Sequence, residues 1–402
     1  MATARQLVIG TDESHRVTSL ELFFDLVFVY ALTQVTAVMA GDPTWTGLAR
    51  GGVLLAMLWF AWCAYAWLGN QARADEGVLR AGLVLATMAM FVVALAIPEA
   101  FGDLPGGLNA PLVLVIALAT VRFVHLAVYV VAAGDDAGLR RQLARTAVPV
   151  AVWAALLVAG AFLDEQARLV VWTVALVADY VGIFAGGVEG WRLNAAAHFA
   201  ERHGLIIIIA LGESIVAIGV GAAGLPMTWP LLTAVLLGLT VTAALWWAYF
   251  DVVAPVAERV LVRARGAERA RLGRDSYTYL HFPMVVGIVL LAVGLKKVIG
   301  YVADADHHGL GDPLTGVPLV AMYGGVVLYL LAHVAFRLRN VHSVNVQRVV
   351  VAVLLLVAMP VADRVPALAA LGFLAVVLVA LIAYEATRYA EARRAVRHGV
   401  PH

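Results

Sequence analysis

Charge and cysteine are what this chain has least of. Only 14% of its 402 residues are Asp, Glu, Lys or Arg, against roughly 25% in a soluble domain. So little charge leaves too few polar groups to cover a water-facing surface. The lone cysteine, Cys63, lies in an apolar run, which excludes an intrachain disulfide and any cysteine-based metal motif. Net charge is +1, so nothing argues for a nucleic-acid partner and none is expected. No HExxH, P-loop, GxSxG or dinucleotide fingerprint occurs, so those chemistries have no support and the sequence leaves any cofactor unknown. Met1–Thr18 holds no apolar signal-peptide core, and the apolar run that follows reads as an uncleaved anchor.

What is present is apolar sequence, 63% of the chain. At about 20 residues per crossing, about twelve spans are expected. They run Leu20–Met39, Gly47–Leu68, Leu79–Ile97, Asn109–Ala132, Ala144–Leu163, Arg168–Gly186, His203–Gly221, Trp229–Phe250, Tyr277–Gly300, Pro318–Phe336, Gln347–Val361 and Pro366–Tyr384. The eleventh is short and ends at Pro360. The expected fold is an all-α integral membrane bundle, and the lipid bilayer is its first partner.

Basic residues set the expected orientation. Loops after even-numbered spans hold Arg73 and Arg80, then Arg140, Arg141 and Arg145, then Arg192 and Arg202, then the run Arg259–Arg274, then Arg337, Arg339 and Arg348. Loops after odd-numbered spans hold almost none. Both termini are therefore expected in the cytoplasm, with the chain in a bacterial inner membrane. Two parallel six-span halves are suggested by paired features. Glu21 aligns with Glu201, and WFAWCAY (Trp59–Tyr65) echoes LWWAYFD (Leu245–Asp251). The expected division is a tail over 1–19, halves over 20–190 and 191–387, and a tail over 388–402.

The ionisable residues inside the spans are the candidates for function, because such groups are costly in a bilayer and usually face a bundle interior or cavity. Glu21 and Asp25 stack one turn apart on the first helix. Glu213 falls near the midplane of the seventh span, with His198, Glu201 and His203 at its entry. Arg122 and His125 share a face of the fourth span, and Asp179 lies inside the sixth, so Arg122 with Asp179 or Glu213 reads equally as a structural pair. Asp251, His281, His333 and Arg337 lie near basic-side helix ends. Glu21, Asp251 and Arg337 are close enough to those ends to snorkel to water. Asp25 and Glu213 have no partner visible in sequence and need one, or a proton. The tryptophans Trp59, Trp62, Trp67, Trp246 and Trp247 read first as packing or interface anchors, and second as cavity lining for a lipid or isoprenoid. A loop holding Asp304, Asp306, His307, His308 and Asp312 has metal-ligand composition but reads first as solvated. The i, i+3 pair His198 and Glu201 matches di-metal spacing, yet one such pair makes no site.

ELFFDLVFV (Glu21–Val29) and ERHGLIIIIALGES (Glu201–Ser214), with YTYLHFPMVVGIVLLAVGL (Tyr277–Leu295) and WWAYFD before the Arg-rich run, are similar to the bacterial low temperature requirement A family over nearly the whole chain. The motif positions that the resemblance implies are Glu21, Asp25, Glu201, His203, Gly204, Gly212 and Glu213. The family takes its name from a growth phenotype, so the resemblance carries no reaction or substrate with it.

Three functions fit. The first is a proton-coupled secondary transporter of a small molecule, with Asp25 and Glu213 carrying protons and His203, Arg122 and His125 as charge partners. The second is an intramembrane enzyme on a lipid or isoprenoid, using Glu21, Asp25, Glu201, His203 and His281 as acids and bases. The third is a lipid-sensing or structural protein without turnover. Asp179, Asp251, His281, His333 and Arg337 join Arg122 and His125 as expected substrate contacts.

Overall fold

A computed structural model describes residues 10–102, 104–303 and 308–388. Asp304, Asp306 and His307 of the expected loop cluster lie outside the described residues, as do the last basic residues of the tail. The described chain is helical, with only isolated bridges besides: α1 (Ser19–Gly41), α2 (Trp45–Gln71), α3 (Gly77–Ala96), α4 (Ala110–Ala133), α5 (Ala137–Ala161), α6 (Glu165–Ala185), α7 (Ala196–Ala222), α8 (Trp229–Phe250), α9 (Val253–Arg263), α10 (Gly266–Leu272), α11 (His281–Ala303), α12 (Val317–Val341), α13 (Val346–Ala362) and α14 (Ala367–Arg388). Eleven of these helices are long and apolar enough to cross a membrane, and α13, with 17 residues, is the short one. The expected all-α membrane bundle is therefore the observed fold.

Local chemistry sets the helix starts. Asn109, Asp136, Asp164 and Thr228 each cap a helix by accepting backbone N–H bonds from the first turn. Proline follows at the first or second position of α4, α8 and α12, where its missing N–H costs nothing. The outward faces are apolar: Val170, Val174, Val177 and Val181 of α6 are each more than half exposed. That pattern suits hydrocarbon and would be unsuitable in water.

Two expectations about the segments between spans are corrected. The Arg-rich run after α8 is helical as α9 and α10, and a π-helical turn, Gly273–Tyr279, leads into α11. The reason is amphipathic spacing, since Val253, Ala257 and Leu261 recur every fourth residue and are buried. Secondly, α7 begins at Ala196 rather than His203. Arg202, expected in a loop, is thus inside a helix and buried.

The chain divides into two compact units. The first comprises the described residues of Met1–Val38, Leu48–Arg202 and Leu261–Arg274. The second comprises Met39–Gly47, His203–Val260 and the described residues of Asp275–His402. In the first, α2 is buried along most of its length, with Trp59, Phe60, Trp62 and Tyr65 all inside. The stretch before α1 is tied down by Glu13, which pairs with Arg265 at 2.6 Å and Arg269 at 3.2 Å. In the second, α11 and α12 approach through glycine. A Cβ on Gly287 would lie 2.5 Å from the Gly325 carbonyl oxygen, the small-residue contact common between membrane helices.

Candidate functional site

The first unit holds a closed set of ionisable side chains. Thr18 and Glu21 form a capping box at the start of α1. The Thr18 hydroxyl accepts from the Glu21 N–H at 3.3 Å, and Glu21 Oε2 accepts from the Thr18 N–H at 2.9 Å. One turn later α1 presents Asp25 on the same face. His198 and Arg202, also one turn apart at the start of α7, meet these carboxylates. Arg202 Nη1 lies 3.0 Å from Glu21 Oε1, and Nη2 donates to Asp25 Oδ1 at 2.8 Å. His198 Nε2 reaches Glu21 Oε1 at 3.0 Å and Oε2 at 3.2 Å. Trp62 Nε1 on α2 donates to Asp25 Oδ1 at 2.9 Å. Gly69 is needed beside them, because a Cβ there would collide with Glu21 Oε1.

Every ionisable member is buried, with His198 fully enclosed and Glu21, Asp25 and Arg202 each 1% exposed. The expectation that Glu21 snorkels to water is therefore corrected: its carboxylate is turned inward by the capping box and held by Arg202. The His198 nitrogen facing Glu21 carries the proton, because a carboxylate only accepts. Its Nδ1 has no hydrogen-bond partner among the described residues, and neither has Asp25 Oδ2. Two carboxylates thus face one guanidinium. With a neutral imidazole the set carries one net negative charge, and one proton on Asp25 or His198 cancels it. A cavity of about 10 Å³ touches Glu21, Tyr65 and Arg202, room for about one water.

The His15 ring lies 4.7 Å from that of His198. One ligand atom from each of His15, Glu21 and His198 falls within 4.8 Å of the others, a donor set that a divalent ion takes elsewhere. Here the Arg202 guanidinium already serves as the cation of Glu21, so these residues are not assigned as metal ligands. Burial holds the His15 imidazole below its ordinary value, the His198 ring adds to this, and the Glu21 carboxylate opposes it.

A second buried pair lies in the same unit. Arg122 Nη2 reaches Asp179 Oδ2 at 3.2 Å, Nη1 donates to the Phe60 carbonyl, and the guanidinium sits over Trp153. His125 packs edge-on against Tyr65 and Tyr129. The ion pair joins α4 to α6.

The second unit groups histidines with tyrosines. His281 Nδ1 faces the Ser276 carbonyl at 3.0 Å and so donates. Its Nε2 therefore accepts from the Tyr249 hydroxyl at 2.8 Å. His203 packs edge-on against Tyr277 and His281. Arg348 donates to His333 Nδ1 at 2.7 Å, grips Glu385 with Nε at 2.9 Å and Nη2 at 2.8 Å, and reaches the Ala248 carbonyl. Beside this network a cavity of about 240 Å³ is lined by Trp247, Asp251, Phe336, Arg337, Asn340 and their neighbours.

A family model described as bacterial low temperature requirement A protein (LtrA) matches residues 16–383. The chain belongs to the LtrA family. An uncharacterized protein of Rhizobium meliloti (strain 1021) is 29% identical over 323 residues, covering 76% of this chain and 75% of that one. No solved structure matches. Within the LtrA match lie all the residues of these clusters except His15 and Glu385. Of the acidic residues singled out in the sequence, Glu21 and Asp25 stand in the first unit's cluster. His203 and Glu213 are buried in the second unit, and Glu201 is exposed. Asp251 and Arg337 are partly exposed, while His281 and His333 are buried. The site residues that the sequence did not single out are Arg202, Tyr249, Arg348 and Glu385, and Trp62 is a hydrogen-bond donor to Asp25 rather than packing alone. Arg202 had a signal: it sits inside the ERHG motif, one turn after His198, and an arginine buried on that face needs acceptors opposite it.

Proposed function

We propose that this LtrA family member is a proton-coupled secondary transporter of the bacterial inner membrane, with both termini cytoplasmic. One observation carries the reading: two buried carboxylates share a single guanidinium in a set that also holds one imidazole. A net charge enclosed in a membrane bundle is expensive, and one proton removes it. A site that takes and releases one proton as its access to water changes is the element that proton coupling requires. Asp25, with one oxygen unbonded, is the proton carrier, and Arg202 and Glu21 keep its second state stable. The arginine-rich even-numbered loops support the orientation.

Purified protein in proteoliposomes loaded with a pH-sensitive dye tests this. Gradients of candidate solutes should move protons in the wild type, and Asp25→Asn should abolish the movement while the protein stays inserted. Solute flux that proceeds without proton movement, or unchanged in Asp25→Asn, would sink the coupling.

An enzyme reading has one observation of its own. The Tyr249–His281 and His333–Arg348–Glu385 bonds lie in the unit that holds the cavity of about 240 Å³, and such pairs can exchange protons with a substrate. New product from a bacterial lipid extract, lost in His281→Ala, would favour that reading over transport.

A further inference from the structure

We infer that the cavity of the second unit is a binding site for a small zwitterion, an anionic oxygen group flanked by an ammonium, with an apolar body. The cavity of about 240 Å³ is bounded by the end of α8, the start of α9, the end of α12 and the turn into α13. That volume is enough for an amino acid or a lipid headgroup and too small for a whole lipid.

The lining divides by chemistry. Trp247, Val256 and Phe336 supply an apolar wall. Four of the five N–H groups of Arg348 are taken by Glu385, His333 and the Ala248 carbonyl. Arg337 is different. Its Nε donates to Ser343 Oγ at 2.8 Å, which fixes the plane of the guanidinium. Its terminal nitrogens have no hydrogen bond or ion pair among the described residues. A positioned fork of free N–H donors suits a carboxylate or phosphate. Asn340 is 7% exposed, and its amide donates to the Phe336 carbonyl at 2.7 Å, which leaves Oδ1 without a partner. A buried, unbonded acceptor costs free energy until a donor reaches it. Asp251 adds a negative charge to the same lining. One end of the ligand must therefore accept from Arg337, and another must donate to Asn340.

The turn that carries Ser343 has a related oddity. His342 is the one non-glycine residue at positive φ among the described residues, at 52°. The chain holds it there as it turns from Val341 to Ser343, both of which line the cavity. The His342 N–H bonds the Leu338 carbonyl, so this left-handed residue ends α12 at the edge of the cavity.

The assignment stands on the second unit alone and holds whether or not the protein moves protons. The zwitterion can come from water as a free amino acid or from the bilayer as a phosphoethanolamine headgroup. Full-length protein in detergent is titrated with L-phenylalanine, and with phenylacetate and phenethylamine, each of which keeps one charge only. The same protein in nanodiscs is compared in phosphatidylethanolamine and phosphatidylglycerol by native mass spectrometry. Arg337→Gln is the test variant, since Arg337 is partly exposed and its loss spares the core. Arg337→Lys keeps the charge without the fork.

Saturable binding of L-phenylalanine, weakened about tenfold or more in Arg337→Gln and absent for the singly charged analogues, identifies a free amino acid. Retention of phosphatidylethanolamine over phosphatidylglycerol, lost in Arg337→Gln, identifies the headgroup. Binding of neither probe, or binding unchanged in Arg337→Gln, overturns the site. A correctly inserted variant with the wild-type melting temperature shows that any loss is a loss of the ligand contact.

Discussion

At the scale of single residues, Arg202 is the sharpest test of the first unit's cluster. It is the one cation of two buried carboxylates, and removing it leaves both charges uncompensated. Arg202→Gln should destabilise the protein by about 3–5 kcal/mol, the range seen when one member of a buried pair is removed. Combining it with Asp25→Asn should restore part of that loss, because one of the stranded charges is then gone. Thermal unfolding in detergent reads both, and a neutral Arg202→Gln would show that the guanidinium is not the counter-ion. Gly69→Ala should cost about 1–3 kcal/mol, since its Cβ meets a carboxylate that Thr18, His198 and Arg202 already hold in place. His15 gives a pH signature. Its folded value lies below the ordinary 6.5, so the folded state prefers the neutral ring. That preference stabilises fully above 6.5 and is lost as pH falls through the lowered value. Proton NMR of the His15 ring should show a midpoint below 6.5, and a midpoint at or above it would contradict the burial of the ring beside His198.

At the scale of elements, neighbouring glycines on α12 separate packing from propensity. A Cβ on Gly325 would lie 2.5 Å from the Gly287 carbonyl and 2.8 Å from the Leu291 amide nitrogen. These are backbone atoms and cannot swing aside. A Cβ on Gly324 meets only Val320 at 3.7 Å and Met359 at 3.9 Å. Gly325→Ala should therefore destabilise by about 1–3 kcal/mol, while Gly324→Ala should be neutral or stabilising by up to about 1 kcal/mol, the helix propensity gained. Equal effects in denaturant titration would mean that α11 and α12 are not in backbone contact. The short α13 follows the same logic of local signals overridden by context: Pro360 lies inside its last turn rather than ending it earlier. Its N-terminus is anchored by the Arg348 fork on Glu385 of α14.

At the scale of the whole molecule, orientation is open to a direct test. Cys63 is buried, so a single added cysteine reports its own side of the membrane. Leu310→Cys, in the turn after α11, should react with an impermeant maleimide in intact cells. Asp135→Cys, between α4 and α5, should react only after permeabilisation. The opposite pattern would reverse the proposed topology.

Membrane residence, the order of the apolar helices and the positions of Glu21 and Asp25 on one face are all local properties. Apolar run length, i, i+4 spacing and first-turn chemistry act over a few residues, so a linear reading reaches them. The partners of those carboxylates are not local. His198 and Arg202 are each 177 residues away from the acid they meet. Glu201 and Arg202 are adjacent and equally polar, yet successive residues on a helix point about 100° apart. Packing therefore buried the arginine and exposed the glutamate. The same holds for Tyr249 with His281 and for Arg348 with Glu385, whose separation along the chain carries no signal of contact. Depth and pairing belong to the tertiary structure, because the cost of an enclosed charge is decided by what lies opposite it, and only the folded bundle decides that.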